Sequence, residues 1–269
     1  MTDLGILTFG IAAVAAIRST WSPCGLSMLA TITPLAERGR GHRFGPTAAW
    51  YMLGGTAGGA TLGTVMCGLA GAVRWLAPGP TTVEAIATAA AVVVTASDIG
   101  FGGVRLPYHR RQVNERWLDQ YRPWVYGSGF GWQIGSGLST YIMTASVYLL
   151  VVLAALTAQP LVAFGAGTVF GTLRGSMVFM GGSITSPDAL SSFHARFVRA
   201  GTSVALVTVA VTVAVAIVAA WSISFWLVVG LAVPGTAVAP WAVRSIVTRG
   251  SCQVGATRDT GRAAVPVAD

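Results

Sequence analysis

The stretch R18-S-T-W-S-P-C-G-L-S-M-L-A-T-I-T-P34 decides how the chain is read. It lies inside an apolar run of about 29 residues, 4–32, which is long for one straight membrane crossing, since ~20 residues suffice. A serine followed by proline is a good helix start and a poor helix interior, because proline lacks the N–H and clashes with the preceding turn. The spacing therefore predicts a broken helix with its break at Ser22-Pro23.

The surrounding composition agrees with a membrane setting. Of 269 residues, 54% are hydrophobic and 10% charged, and the mean hydropathy is +0.67. Soluble domains carry about 25% charged residues. Apolar runs over 4–32, 47–73, 81–101, 130–156, 161–180, 201–219 and 222–243 predict seven spans. The fold class expected is all-α: a polytopic integral membrane protein of about seven transmembrane helices. The N-terminal run lacks a basic flank and reads as a retained span rather than a cleaved signal.

The 17 basic residues are all arginine, and the net charge is +8. With seven spans, fourteen arginines fall in the 33–46, 102–129 and 181–200 loops and the segment after Val243. The opposite side receives Arg74, and Arg18 and Arg174 lie inside spans. This asymmetry predicts plasma-membrane insertion with the N-terminus outside and the C-terminus cytoplasmic. The charge is thus assigned to orientation, and no nucleic-acid partner is expected. Two loop segments, 186–200 and 108–124, read as short helices on the membrane surface. Residues 244–269 read as a disordered cytoplasmic tail.

An internal repeat is visible. S22-P-C-G-L-S-M-L-A-T-I32 aligns with I134-G-S-G-L-S-T-Y-I-M-T144, placing Ser136 opposite Cys24. R43-F-G-P-T-A-A-W-Y-M-L-G-G55 aligns with A163-F-G-A-G-T-V-F-G-T-L-R-G175, the second connection being eight residues longer. A shift of three spans reverses orientation, so the repeats are expected to be inverted. Repeat 1 covers about 4–101 and repeat 2 about 130–219. Together they form a six-helix core, span 222–243 is extra, and 1–243 is one transmembrane domain. Gly135-Ser136-Gly137 is the expected second break. Glycines 55, 59, 63 and 167, 171, 175 recur every four residues and predict closely packed helix faces.

Pro23-Cys24 within this repeat resembles the CcdA/DsbD family of transmembrane thiol–disulfide electron carriers, over roughly residues 5–220. The resemblance implies a reactive thiol at Cys24, thioredoxin-like partners on either side of the membrane and a role in cytochrome c biogenesis. Its second cysteine falls at Ser136, so Cys67 is the candidate resolving thiol. From the residues alone, two alternatives stand beside it: a small-solute or anion transporter, and a structural membrane subunit. Arg18 and Arg174 are candidates for a polar cavity around the breaks, binding an anion or lowering the Cys24 pKa. They are equally read as ties for broken helices, with Asp98 the nearest compensating carboxylate. Pro23 and Ser136 complete the candidate binding set, and Trp132 and Gln133 are candidate lining. His42, His109 and His194 have no ligand spacing, so no metal or cofactor is expected. Membrane lipid is the expected surrounding, and the residues leave enzyme activity and oligomeric state open.

Overall fold

A computed structural model describes residues 2–103, 106, 117–137, 144–221, 243, 244 and 246, and among them the chain is all-helical. The helices are α1 (Thr2–Thr20), α2 (Pro23–Thr31), α3 (Pro34–Gly39), α4 (Phe44–Leu76), α5 (Pro80–Ile99), α6 (Trp117–Gln120), α7 (Pro123–Gly135), α8 (Ser146–Leu156), α9 (Pro160–Ser176) and α10 (Pro187–Trp221). A 3₁₀ segment, Met177–Ser183, extends α9. Most of these helices start with proline, whose missing N–H costs nothing in the first turn.

Four described helices are long and apolar enough to cross a membrane: α4, α5, α9 with its extension, and α10. Leu4–Thr20 and Gly25–Thr31, bent by 64°, make a fifth when taken as one broken span. The 130–156 run is α7 followed by the 11-residue α8, with 138–143 outside the described residues. The expected span at 222–243 and the tail likewise fall almost wholly outside them. Of the two expected surface helices, most of 108–124 is outside the described residues. The other is corrected: 187–200 continues without interruption into the last described span, giving a 35-residue α10. Ser186 starts it as expected, its hydroxyl accepting from the Ala189 N–H at 3.2 Å.

The core is built on α4. One face meets α9 running antiparallel. A Cβ on Gly55 would lie 2.8 Å from Gly175 Cα, and one on Gly59 2.7 Å from Gly171 Cα. One on Gly63 would lie 2.5 Å from the Phe164 carbonyl. The two predicted glycine faces are therefore each other's partner. The adjoining face of α4 meets α7 running parallel. Gly54 and Gly58 press on the Ser128 and Trp132 carbonyls, while Gly131 and Gly135 press on those of Tyr51 and Gly55. Helix α1 runs parallel to α9, with Gly5 beside Val162 and Phe9 beside Gly165. The 33–46 segment, the start of α7, the end of α9 and the start of α10 consequently share one end of the bundle.

Candidate functional site

Both breaks meet near the end of α9. At the first, α1 stops at Thr20, and Ser22 caps α2 by accepting from the Gly25 N–H at 3.1 Å, with Pro23 in the first turn. Trp21 turns outward at the break. Its ring stacks on Phe197 of α10 at 4.4 Å, and its indole N–H donates to the Phe197 carbonyl at 2.7 Å. At the second, α7 ends at Gly135 with Ser136 as its buried cap residue. Gly137 then adopts φ +68°, a conformation glycine reaches without steric cost.

Arg174 joins the two. Its side chain is 3% exposed, and Nη1 donates to the Ile134 carbonyl at 2.6 Å, in the last turn of α7. Nη2 reaches the Ser19 carbonyl, in the last turn of α1, at 3.4 Å. The guanidinium also lies 5.7 Å from the centre of the Phe170 ring. Both carbonyls also accept a backbone N–H, Ile134 from Gly137 and Ser19 from Ser22, each at 3.2 Å, so Arg174 is a second donor at the negative ends of two helices. The guanidinium bridges the last turns of α7 and α1, and Arg174 also lines a cavity at the breaks. A cavity of about 10 Å³ lies beside it, lined by Thr20, Gly25, Leu29, Tyr51 and Ile134 among others. That is room for about one water molecule.

The restart of the second broken helix is satisfied from α5. The Asp98 carboxylate accepts from the Ala145 N–H at 2.7 Å and the Thr144 hydroxyl at 2.8 Å, immediately before α8. A carboxylate suits the positive end of a helix. Arg18, half-buried in the last turn of α1, lies within electrostatic reach of Asp98 and is not among the residues lining the cavity. Of the two intramembrane arginines, Arg18 is thus the one within electrostatic reach of Asp98, while Arg174 donates to carbonyls. Ser136 Oγ donates to the Gln133 carbonyl at 2.9 Å. Trp132 is 42% exposed and donates to Thr61 Oγ1 at 3.1 Å, so it joins α7 to α4 rather than lining the cavity.

Cys24 lies in the first turn of α2, and its side chain, like that of Pro23, is outside the described residues. Cys67 is half-buried in α4, sixteen residues beyond Tyr51, which is about 24 Å along a helix axis.

A second polar cluster carries no sequence signal. Glu37 of α3 is wholly buried. Its carboxylate accepts from Tyr126 Oη at 2.8 Å, Thr47 Oγ1 at 2.9 Å and Arg40 Nη1 at 3.1 Å. His42 Nδ1 is 3.5 Å from the Tyr126 hydroxyl. The cluster clamps α3 to α4 and α7.

No protein-family model and no solved structure matches the chain. Curated relatives do match. The methylamine utilization protein MauF of Methylorubrum extorquens is 31% identical over 157 residues, covering 57% of this chain and 54% of that protein. MauF of Paracoccus versutus is 30% identical over 154 residues, 56% of each chain. MauF of Paracoccus denitrificans is 30% identical over 153 residues, 55% of this chain and 54% of that one. The chain is similar to MauF proteins. It spans about half the length of the curated relatives it matches.

This similarity corrects the resemblance drawn from Pro23-Cys24. The relatives are named for methylamine utilization, not as CcdA/DsbD carriers. Thiol–disulfide exchange, electron transport and cytochrome c biogenesis fall with that resemblance. The redox roles given to Cys24 and Cys67 rested on it alone. A Pro-Cys pair at a helix start is explained locally by proline's suitability for the first turn.

Proposed function

We propose that this chain is an integral membrane protein with an accessory role in methylamine utilization. The observation that carries this reading is the roughly 30% identity to MauF proteins over about half of each chain. The geometry supports a fixed scaffold. Backbone-to-backbone glycine contacts lock α4 between α7 and α9. The helix ends at the breaks are satisfied by the chain's own Arg174, Ser22 and Asp98.

The finer architecture belongs to the same proposal. Seven spans follow if α1–α2 and α7–α8 each count as one broken span and 222–243 is added. Two inverted repeats, about 4–101 and 130–219, then relate α1 to α7, α4 to α9 and α5 to α10. A single displacement of 112 residues supports this. It carries 22–27 onto 134–139 and Gly55, Gly59 and Gly63 onto Gly167, Gly171 and Gly175. The longer second connection of the sequence alignment is then unnecessary. The arginine-rich end faces the cytoplasm, with the N-terminus outside, and 244–269 forms a cytoplasmic tail. Arg174, Arg18, Pro23 and Ser136 serve as structural ties of the centre.

The test is genetic. The gene is deleted in its host, and growth is compared on methylamine and on ammonium as nitrogen source. Slow or absent growth on methylamine alone, restored by the wild-type gene, is expected. Equal growth on both overturns the proposal. A fluorescent fusion at the C-terminus and an alkaline phosphatase fusion after Gly79 check the orientation. Both are expected to be active.

A further inference from the structure

At the arginine-rich end, two neighbouring helices start side by side. The first turns of α4 and α7 touch, a Cβ on Gly127 falling 3.0 Å from the Thr47 carbonyl. Arg43 immediately precedes α4 and Arg122 immediately precedes α7, and both are exposed. Trp50, two turns inside α4, and Trp124, in the first turn of α7, form a tilted pair with ring centres 6.3 Å apart. They are 44% and 51% exposed. Exposed tryptophans mark the headgroup level of a bilayer, where the ring is half in apolar and half in wet surroundings. Glu37, the carboxylate in the preceding segment, is wholly buried and takes its hydrogen bonds from Tyr126, Thr47 and Arg40.

We propose that Arg43 and Arg122, with the adjoining Trp50–Trp124 pair, form a binding site for the headgroup of an anionic phospholipid. The guanidinium groups meet the phosphate, for which Arg's forked donors are suited. The indole rings lie against the glycerol and upper acyl chain. Charge complementarity selects this occupant: a cytoplasmic leaflet is rich in anionic lipid and attracts basic side chains at its surface. The proposal rests on the bilayer setting and on the cytoplasmic placement of the arginine-rich end proposed above, and it is independent of any role in methylamine utilization.

The experiment reads the tryptophans directly. The full chain is reconstituted in phosphatidylcholine vesicles containing 20 mol% of either brominated phosphatidylglycerol or brominated phosphatidylcholine. Quenching of the Trp50 and Trp124 signal is taken by subtracting the W50F/W124F double variant. Each arginine near an anionic surface contributes about fivefold, so wild type is expected to prefer phosphatidylglycerol by about tenfold or more. R43Q/R122Q is expected to reduce the preference to about twofold or less. R43K/R122K, which keeps the charge, and R196Q/R199Q, on α10, are expected to retain most of it. Equal quenching of wild type by both lipids overturns the proposal, and is the outcome if a protein partner or second copy covers the patch. An unchanged preference in R43Q/R122Q also overturns it. If that variant fails to insert, the single variants R43Q and R122Q are read in its place, each expected to lose about threefold to fivefold.

Discussion

Gly59→Ala tests the central helix contact most directly. A methyl at this position would lie 2.5 Å from the Gly167 carbonyl oxygen, 2.7 Å from Gly171 Cα and 2.8 Å from Gly171 N. Ordinary contact is 3.4–4 Å, so the shortfall is about 1 Å. The facing atoms are helical backbone and cannot rotate away. Helices α4 and α9 must separate, and a gap of 0.5–1 Å forfeits a quarter to a half of each neighbouring dispersion contact. Overpacking of this kind costs about 1–3 kcal/mol, and contact loss along the glycine seam brings the expected total to about 2–4 kcal/mol. Gly68→Ala on the same helix is the control. Nothing lies within 4 Å of its Cβ position, and alanine is favoured over glycine in a helix by about 1 kcal/mol. Unfolding by SDS in mixed micelles, followed by tryptophan fluorescence, should separate the two variants by about 3 kcal/mol. If Gly59→Ala unfolds together with Gly68→Ala, the α4–α9 seam is refuted.

Further expectations concern the polar ties. Arg174→Leu removes the charged donor from the Ile134 and Ser19 carbonyls, which keep their backbone donors, and should destabilise by about 1.5–3 kcal/mol in the same assay, with Arg174→Lys intermediate. Asp98→Ala removes the acceptor before α8 and should cost about 1–2 kcal/mol, and hydrogen exchange should rise first in 146–149. Glu37→Gln and Tyr126→Phe share one hydrogen bond, so their effects should couple by about 1 kcal/mol in a double-mutant cycle; strict additivity would contradict the geometry.

How far these features could be read from the residues depends on how local their causes are. The Ser22-Pro23 break was legible because capping and proline chemistry act within one turn. The runs that became α4, α5 and α9 were legible because span length and hydropathy are properties of a segment. The glycine faces at 55–63 and 167–175 were visible as close-packing surfaces, and the structure supplied their pairing. The matching faces of α4 and α7 were missed, although Gly127, Gly131 and Gly135 also recur every four residues. The continuity of α10 was missed because polarity changes near residue 200 while helix propensity does not. The Glu37–Tyr126 bond joins residues 89 apart and leaves no pattern in either neighbourhood. The thiol reading failed because one Pro-Cys pair says where a helix starts and little about its chemistry.

The position of α4 between two glycine-faced partners has a consequence for biogenesis. Ribosomes release α4 before either α7 or α9 exists, so both its smooth flanks emerge with no protein to cover them. Completion of the scaffold therefore waits on the second half of translation. Truncated products ending before residue 123 would present a bare, self-adhesive rod to the insertion machinery and to quality-control proteases.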